Sequence, residues 1–263
     1  MIAAFTSTNQ FYTLIKSPVP TSTLLVFLHG LGSSQNFYYS IATALSSTHN
    51  VLLLDHEGAN QSKLNRPKLT LEDLSQNVIS TIHELQLQDS KIVLIGHSMS
   101  GMLVNYINIF HSTKLNIIKN VLIGPVHPTA KLTQIFLDRI QALNVKPSLI
   151  DFSNNIPNAA TGDKCSGFRK SYIRQLLQSQ TVEGYIANCH AIASGMDYDF
   201  DYSKVEKPVL IIYGKQDMTS PWTGCVEEIA NGLTNKSLVE LDVGHWIAIE
   251  DDEAVLKAIK EFI

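Results

Sequence analysis

Six short apolar runs recur along the chain, and most of the segments between them place apolar residues at helical spacing. The runs are mostly continuous rather than alternating, which is typical of strands covered on both faces of a parallel sheet. They lie at residues 24–28, 51–54, 92–95, 121–123, 209–213 and 238–241. This order of strands and helices predicts right-handed βαβ crossovers, and therefore an α/β fold with helices on both faces of a mostly parallel sheet.

The segments outside the strand runs carry their own signals. Apolar residues recur at helical spacing from Leu71 to Leu85, behind Thr70, which is a good helix N-cap. Acidic residues at 251–253 lead into a second such pattern, which predicts a terminal helix. Residues 2–15 resemble an antiparallel hairpin that turns near Asn9.

The strand rhythm stops between residues 127 and 203, where helical patterns dominate. An insertion at this place, after the fourth run and before the fifth, would lie over the carboxyl ends of the strands, where open α/β sheets bind ligands. We therefore predict one core in two parts, residues 1–126 and 204–263, with a helical cap at 127–203.

Composition narrows the class of protein. The 263 residues are 44% apolar and 17% charged with a net charge of −4, which is typical of a soluble globular chain and gives no support for nucleic-acid binding. The cysteines Cys165, Cys189 and Cys225 form no CxxC pair, so we expect no metal site and a reducing compartment. With no secretory signal at the start and no apolar run of about eighteen residues, we expect a cytoplasmic protein, not bound to membranes, that is a monomer or homodimer.

The third apolar run leads directly into a candidate nucleophile. Residues 96–101 read Gly-His-Ser-Met-Ser-Gly, and a helical pattern follows. Strand, tight turn and helix in this order form the context of a nucleophile elbow, which holds a serine strained and exposed at the turn. Ser98 is therefore the predicted nucleophile. Ser100 stands where the motif usually has glycine, but it is still a small residue.

A serine hydroxyl needs a neighbouring base, and histidine has a suitable pKa. His245 follows the last strand run, on the loop before the terminal helix, so it lies at the carboxyl end of a strand where a base can meet Ser98. His97 precedes the nucleophile and is expected to point away from it. We therefore predict His245 as the base.

The base must be held in one tautomer by an acid. Asp217 follows the run at 209–213 and completes the chain order serine, aspartate, histidine. Some relatives of this fold place the acid one strand earlier, but residues 124–128 contain no carboxylate. The other carboxylates considered, which we interpret as solvated, hinge or turn positions, are Asp55, Asp197, Asp199 and Asp201.

Acyl transfer also needs amide donors for the oxyanion of its transition state. The segment His29-Gly30-Leu31-Gly32 follows the first run, at the place of an oxyanion loop. We predict that the backbone amides of Leu31 and Met99 form the oxyanion hole.

Together these motifs resemble the α/β-hydrolase superfamily over almost the whole chain. Within it, the second half of the cap is similar to the 3-oxoadipate enol-lactonase group of lactonases and esterases. The residues that carry this second similarity are Leu176, Leu177, Gln180, Glu183, Gly184, Tyr185, Cys189, Ala191 and Ile192. The chain departs from the superfamily at residues 55–62, where Asp-His-Glu-Gly-Ala-Asn-Gln-Ser replaces the common Asp-x-x-Gly-x-Gly-x-Ser pattern, and residues 129–161 match no group.

The resemblance implies an α/β-hydrolase fold and a serine hydrolase that cleaves a small ester or lactone without a cofactor or metal. Acyl transfer to an alcohol and C–C bond hydrolysis would use the same triad. A ligand receptor with slow turnover is a further alternative. The cap side chains expected to close over Ser98 are Phe136, Phe168, Tyr172 and Leu176.

Overall fold

The computed structural model describes residues 1–263 and contains one eight-stranded sheet. Each of the six apolar runs lies in a strand, so these predictions are confirmed. The strands are β1 (Ile2–Phe5), β2 (Phe11–Ile15), β3 (Thr23–Leu28), β4 (Asn50–Leu54), β5 (Lys91–His97), β6 (Ile117–Ile123), β7 (Val209–Gly214) and β8 (Lys236–Leu241).

The chain also forms ten α-helices. They are α1 (Tyr39–Leu45), α2 (Leu71–Glu84), α3 (Met99–Phe110), α4 (Ala130–Val145), α5 (Ile150–Ala159), α6 (Gly167–Gln178), α7 (Val182–Ala193), α8 (Glu227–Gly232), α9 (Ile247–Glu250) and α10 (Asp252–Phe262). Short 3₁₀ turns occur at Gln35–Tyr38, Ser194–Asp197 and Tyr202–Lys204. The segment Trp222–Val226 is kinked at Thr223 and Gly224.

The strand order is β1-β2-β4-β3-β5-β6-β7-β8. Only the β1–β2 and β2–β4 pairs are antiparallel, and every other pair is parallel. This confirms the mostly parallel α/β sheet. It also confirms the first hairpin, in which Asn9 takes the left-handed conformation (φ 63°) that a tight turn requires.

The last strand differs from most of the others. The run at 238–241 contains Glu240, and β8 pairs only with β7 and has side chains that are exposed or half-buried. Leu238 keeps 43% of its surface exposed. β8 is therefore an edge strand, and its apolar sequence reflects partial cover by its neighbours rather than full burial.

Both helix-start signals are confirmed. The Thr70 side chain accepts the Asp73 amide while the Asp73 carboxylate accepts the Thr70 amide, which together form a capping box at the start of α2. Asp251 caps α10 by accepting the Ala254 amide.

Four helices, α4 to α7, lie between β6 and β7. The close approach of α7 to the loop at Gly58 requires a glycine at 184, because a Cβ atom there would overlap the Gly58 carbonyl oxygen. The division into a core at 1–126 and 204–263 and a cap at 127–203 stays a prediction.

None of the helices is both long and apolar enough to cross a bilayer. The cytoplasmic location and the monomeric or dimeric state stay predictions.

The contact at Gly184 gives a test of packing between α7 and the core. Gly184→Ala is expected to lower the free energy of unfolding by about 1–3 kcal/mol, because the new methyl group displaces backbone in a close-packed contact. Gly167→Ala is the matched control, since a Cβ atom at this glycine of α6 meets nothing within 4 Å. Urea unfolding of both variants measures the difference, and equal stabilities would contradict the packing argument.

Candidate active site

Ser98 lies in the turn between β5 and α3, where φ is 54° and ψ is −116°. Such a backbone costs a serine free energy, so the neighbours must enforce it. The Ser98 amide donates to the Ile123 carbonyl at 2.9 Å. A Cβ atom on Gly96 would lie 2.2 Å from the Ser100 carbonyl oxygen, which is why strand and helix can pass so closely only with glycine at 96.

The structure brings the three predicted triad residues together. His245 Nε2 lies 2.9 Å from Ser98 Oγ, and His245 Nδ1 lies 2.7 Å from Asp217 Oδ2. All three side chains are buried. With the Nδ1 proton donated to the carboxylate, Nε2 is free to accept the serine proton.

Asp217 is held as a carboxylate by its surroundings. Burial alone would raise its pKa, but the His245 ring and the amides of Thr219 and Ser220 lower the pKa below its usual value. Both amides donate to Asp217 Oδ1 at 2.8 Å. Because the folded-state pKa is lowered, this carboxylate contributes stability at neutral pH that is lost as pH falls through the lowered pKa.

The other candidate carboxylates lie in different contacts. Asp55 is buried and accepts the Gln35 amide at 2.7 Å and the Asn60 side chain at 2.8 Å, so it fixes two loops. Asp199 is exposed on the segment that leads back to the core. Asp197 is exposed as well, and Asp201 accepts the Ser203 amide at the start of a 3₁₀ turn. None of them forms a hydrogen bond with His245 or Ser98.

The two predicted oxyanion donors flank the nucleophile. Met99 is the first residue of α3, and the loop that carries Leu31 lies against the elbow, because a Cβ atom on Gly30 would lie 3.0 Å from Ser98 Cβ. Neither the Leu31 nor the Met99 amide donates a hydrogen bond within the protein. Both are therefore free to bind a developing oxyanion.

Ser100, the departure from the usual glycine, ties the elbow to the oxyanion loop. Its hydroxyl donates to the His29 carbonyl and lies 2.7 Å from His56 Nε2. His29 in turn accepts the His56 amide at Nε2, at 3.1 Å. Burial lowers the pKa of both imidazoles, so the pair is neutral at neutral pH.

His97 does not bond Ser98, in agreement with the prediction that it is not the base. Its Nε2 donates to the His245 carbonyl at 2.8 Å, and its ring stacks on Phe37 with centroids 4.3 Å apart. Burial, with a contribution from His245, lowers the pKa of His97 to about 3. His97 is therefore a neutral support for the backbone of the candidate base.

Glu250 was missed by the sequence reasoning. Its buried carboxylate accepts the amides of Gly162, Gly244 and Trp246 at 2.7, 3.0 and 3.1 Å. Burial raises its pKa, against the effect of those amides. No short motif marks such a residue, because its donors come from the loop of His245 and from a segment far away in sequence.

A cavity of about 350 Å³ opens onto Ser98 and His245. Thirteen of its seventeen lining residues are apolar or aromatic. Phe136 lines it as expected. Phe168 is 82% exposed and, like Tyr172, borders a separate surface cavity of about 480 Å³ that is lined by none of the predicted triad or oxyanion residues. Leu176 is buried and does not line the cavity, whereas its neighbour Leu177 does. The expectation for three of the four cap side chains was therefore wrong, because α6 turns another face to the cavity.

Residues 23–252 match the family model described as alpha/beta hydrolase fold. The chain belongs to the α/β-hydrolase family. The predicted fold class is thereby confirmed.

Relatives in this family are distant in sequence and close in structure. An (E)-2-((N-methylformamido)methylene)succinate hydrolase of Acinetobacter baylyi is 23% identical over 242 residues, which cover 91% of this chain and 89% of the relative. The enol-lactonase of Burkholderia xenovorans superimposes with a TM-score of 0.84 at 20% identity, covering 96% of this chain and 95% of the other. A thermophilic esterase from Thermogutta terrifontis gives 0.84 at 18% identity, covering 99% and 97%.

The contacts of Asp217 predict that replacing its carboxylate with an amide greatly slows the reaction of Ser98. Asp217→Asn should slow phosphonylation of Ser98 by a fluorophosphonate by roughly 10³–10⁴, because the amide favours the wrong tautomer of His245. Asp199→Asn is the control and should change the rate less than about twofold, in line with its exposed position. The measurement is the second-order labelling rate at one pH. A larger loss in the Asp199 variant would show that the acid is assigned wrongly.

Proposed function

We propose that this protein hydrolyses a small carboxylic ester or lactone through an acyl-enzyme on Ser98. The observation that supports this most is the hydrogen-bond chain from Ser98 through His245 to Asp217, whose serine end opens into an apolar cavity. A serine that is both strained at an elbow and bonded to an imidazole is suited to nucleophilic attack.

In the first half-reaction, Ser98 Oγ attacks the substrate carbonyl carbon as His245 Nε2 takes the serine proton. Asp217 stabilises the imidazolium that forms, since its lowered pKa keeps it ionised. The amides of Leu31 and Met99 bind the oxyanion of the tetrahedral intermediate. Collapse of this intermediate breaks the ester bond, and His245 gives its proton to the departing alkoxide.

In the second half-reaction, water replaces the alcohol. His245 takes a proton from this water, whose oxygen attacks the acyl carbon, and the acid product leaves as the proton returns to Ser98. A lactone follows the same two steps, except that the alcohol stays attached to the acyl group. The proposed reaction uses no metal and no organic cofactor.

The cavity limits the substrate. Its volume of about 350 Å³ is at the lower end of the range for small-molecule sites and excludes a polypeptide or a long acyl chain. Lactonase and esterase activities are named for structural neighbours of this chain, and both fit a small acyl group held among apolar side chains.

Replacement of the nucleophile tests the reaction itself. Ser98→Ala should abolish nearly all turnover of small esters and all phosphonate labelling, because only binding and the oxyanion amides remain. The wild-type protein should turn over steadily, whereas a receptor would stop after about one equivalent of product. Activity of the variant within about tenfold of wild type would contradict the assignment of Ser98.

Substrate size tests the role of the cavity. In a series of p-nitrophenyl esters measured beside small-ring lactones at one pH, kcat/KM should be highest for acetate to butyrate esters or for the lactones. An acyl chain too long for the cavity would prevent the helices over Ser98 from closing on the substrate. Water would then enter and weaken the oxyanion contacts, so both rate and affinity should fall. A maximum at dodecanoate or longer would instead indicate a lipase with an open site.

A further inference from the structure

The cavity above Ser98 contains one permanent charge. Four lining residues are neither apolar nor aromatic, namely Ser98, Arg139, Thr219 and His245. No aspartate or glutamate lines the cavity. The guanidinium of Arg139, on α4, is therefore the one cation in a mostly apolar lining. The residue is half-buried, so removing part of this charge from water has a cost.

Arg139 is held in place but not neutralised. Its Nη1 donates to the Tyr185 hydroxyl at 2.9 Å, and its guanidinium carbon lies 5.1 and 5.3 Å from the ring centroids of Phe136 and Phe152. These contacts orient the planar group. Cys189, which lies close enough to interact with this charge, is a neutral thiol because burial raises its pKa to about 12.

The other three arginines either pair with a carboxylate or are exposed to solvent. Arg66 forms ion pairs with Glu57 and Asp73, and Arg169 pairs with Asp252. Arg174 bonds only amide oxygens, but it is exposed and solvated. Arg139 alone combines the lining of an apolar cavity with the absence of any carboxylate partner.

The partner of Arg139 supplies a second donor. The Tyr185 hydroxyl accepts from Arg139 but donates to no acceptor in the protein, so its hydrogen is available. Burial raises the pKa of Tyr185, which keeps that hydrogen on the oxygen. Tyr185 also lies beside the oxyanion loop, since a Cβ atom on Gly32 would be 3.1 Å from its ring. The Tyr185 side chain therefore bonds Arg139 and also lies beside the oxyanion loop.

We propose that Arg139 and Tyr185 bind a free carboxylate of the substrate, so that the protein acts on half-esters of short dicarboxylic acids or on esters and lactones that bear a carboxylate. The hydrolysis in this proposal rests on the proposed function, whereas the binding of the carboxylate does not depend on it. A planar guanidinium beside a hydroxyl matches the two oxygens of a carboxylate.

The test compares pairs of esters in which one member has a carboxylate where the other has a methyl group. The acyl-side pair is monomethyl glutarate and methyl pentanoate, and the alcohol-side pair is the acetate ester of γ-hydroxybutyrate and butyl acetate. In at least one pair, the charged ester should have a kcat/KM at least about tenfold above the neutral one, as expected for a charge-assisted hydrogen bond. Arg139→Met should reduce this ratio by about tenfold or more, Arg139→Lys should restore part of it, and Tyr185→Phe should reduce it by a smaller factor.

Arg174→Met is the matched control, because it removes a cap arginine outside the cavity, and it should leave the ratio unchanged. Thermal unfolding shows whether each variant is folded, and Arg139→Lys keeps the test informative if Arg139→Met is not. Ratios near one in both pairs, or a ratio that Arg139→Met and Arg139→Lys leave unchanged, would overturn the proposal.

Binding separates this proposal from the proposed hydrolysis. In the Ser98→Ala protein, which cannot form an acyl-enzyme, calorimetry with the same four esters should show tighter binding of a charged ester, and the preference should vanish when Arg139→Met is added. If the wild type hydrolyses none of the esters but this preference is present, the hydrolysis is wrong and the carboxylate site stands. If the esters are hydrolysed and no preference exists in rate or binding, the carboxylate site is wrong and the hydrolysis stands.

Discussion

The strained backbone of Ser98 is the constraint on which the rest of the site depends. Its positive φ costs on the order of 1–3 kcal/mol and persists because the Ile123 carbonyl binds its amide and Gly96 leaves room for the turn. The same turn presents Oγ to His245 and leaves the Met99 amide free at the start of α3. The candidate nucleophile and one oxyanion donor are thus two results of a single backbone conformation.

The loop that carries the candidate base is hydrogen-bonded to the segment between β6 and β7. The His245 amide donates to the Ala160 carbonyl, and Glu250 accepts amides from both Gly162 and Gly244. The backbone that follows α5 is therefore bonded to the loop that carries the imidazole. Because a displacement of this segment would leave buried amides and carbonyls without partners, the positions of this segment and of His245 are energetically coupled.

Sequence alone predicted what depends on local pattern. Buried strands are continuous apolar runs, and the triad candidates follow from chain order and from strand ends, so Ser98, Asp217 and His245 could be chosen without coordinates. Long-range contacts outside the triad could not be predicted. The bond from His97 to His245 joins residues 148 apart and that from Glu250 to Gly162 joins residues 88 apart, and neither has a local signal. The exposure of β8 likewise depends on which strand lacks a neighbour.

Two departures from the family pattern, Ser100 and His56, contact each other in the structure. Ser100 replaces a glycine at the elbow, and His56 lies in the altered segment after β4, yet their side chains meet at 2.7 Å and both contact the His29 carbonyl. With glycine at 100, the His56 ring would lose its hydroxyl partner. Without His56, the Ser100 hydroxyl would lose its donor in a fully buried place. Each residue therefore makes the other acceptable, and together they fix the distance between the elbow and the loop that carries the Leu31 amide.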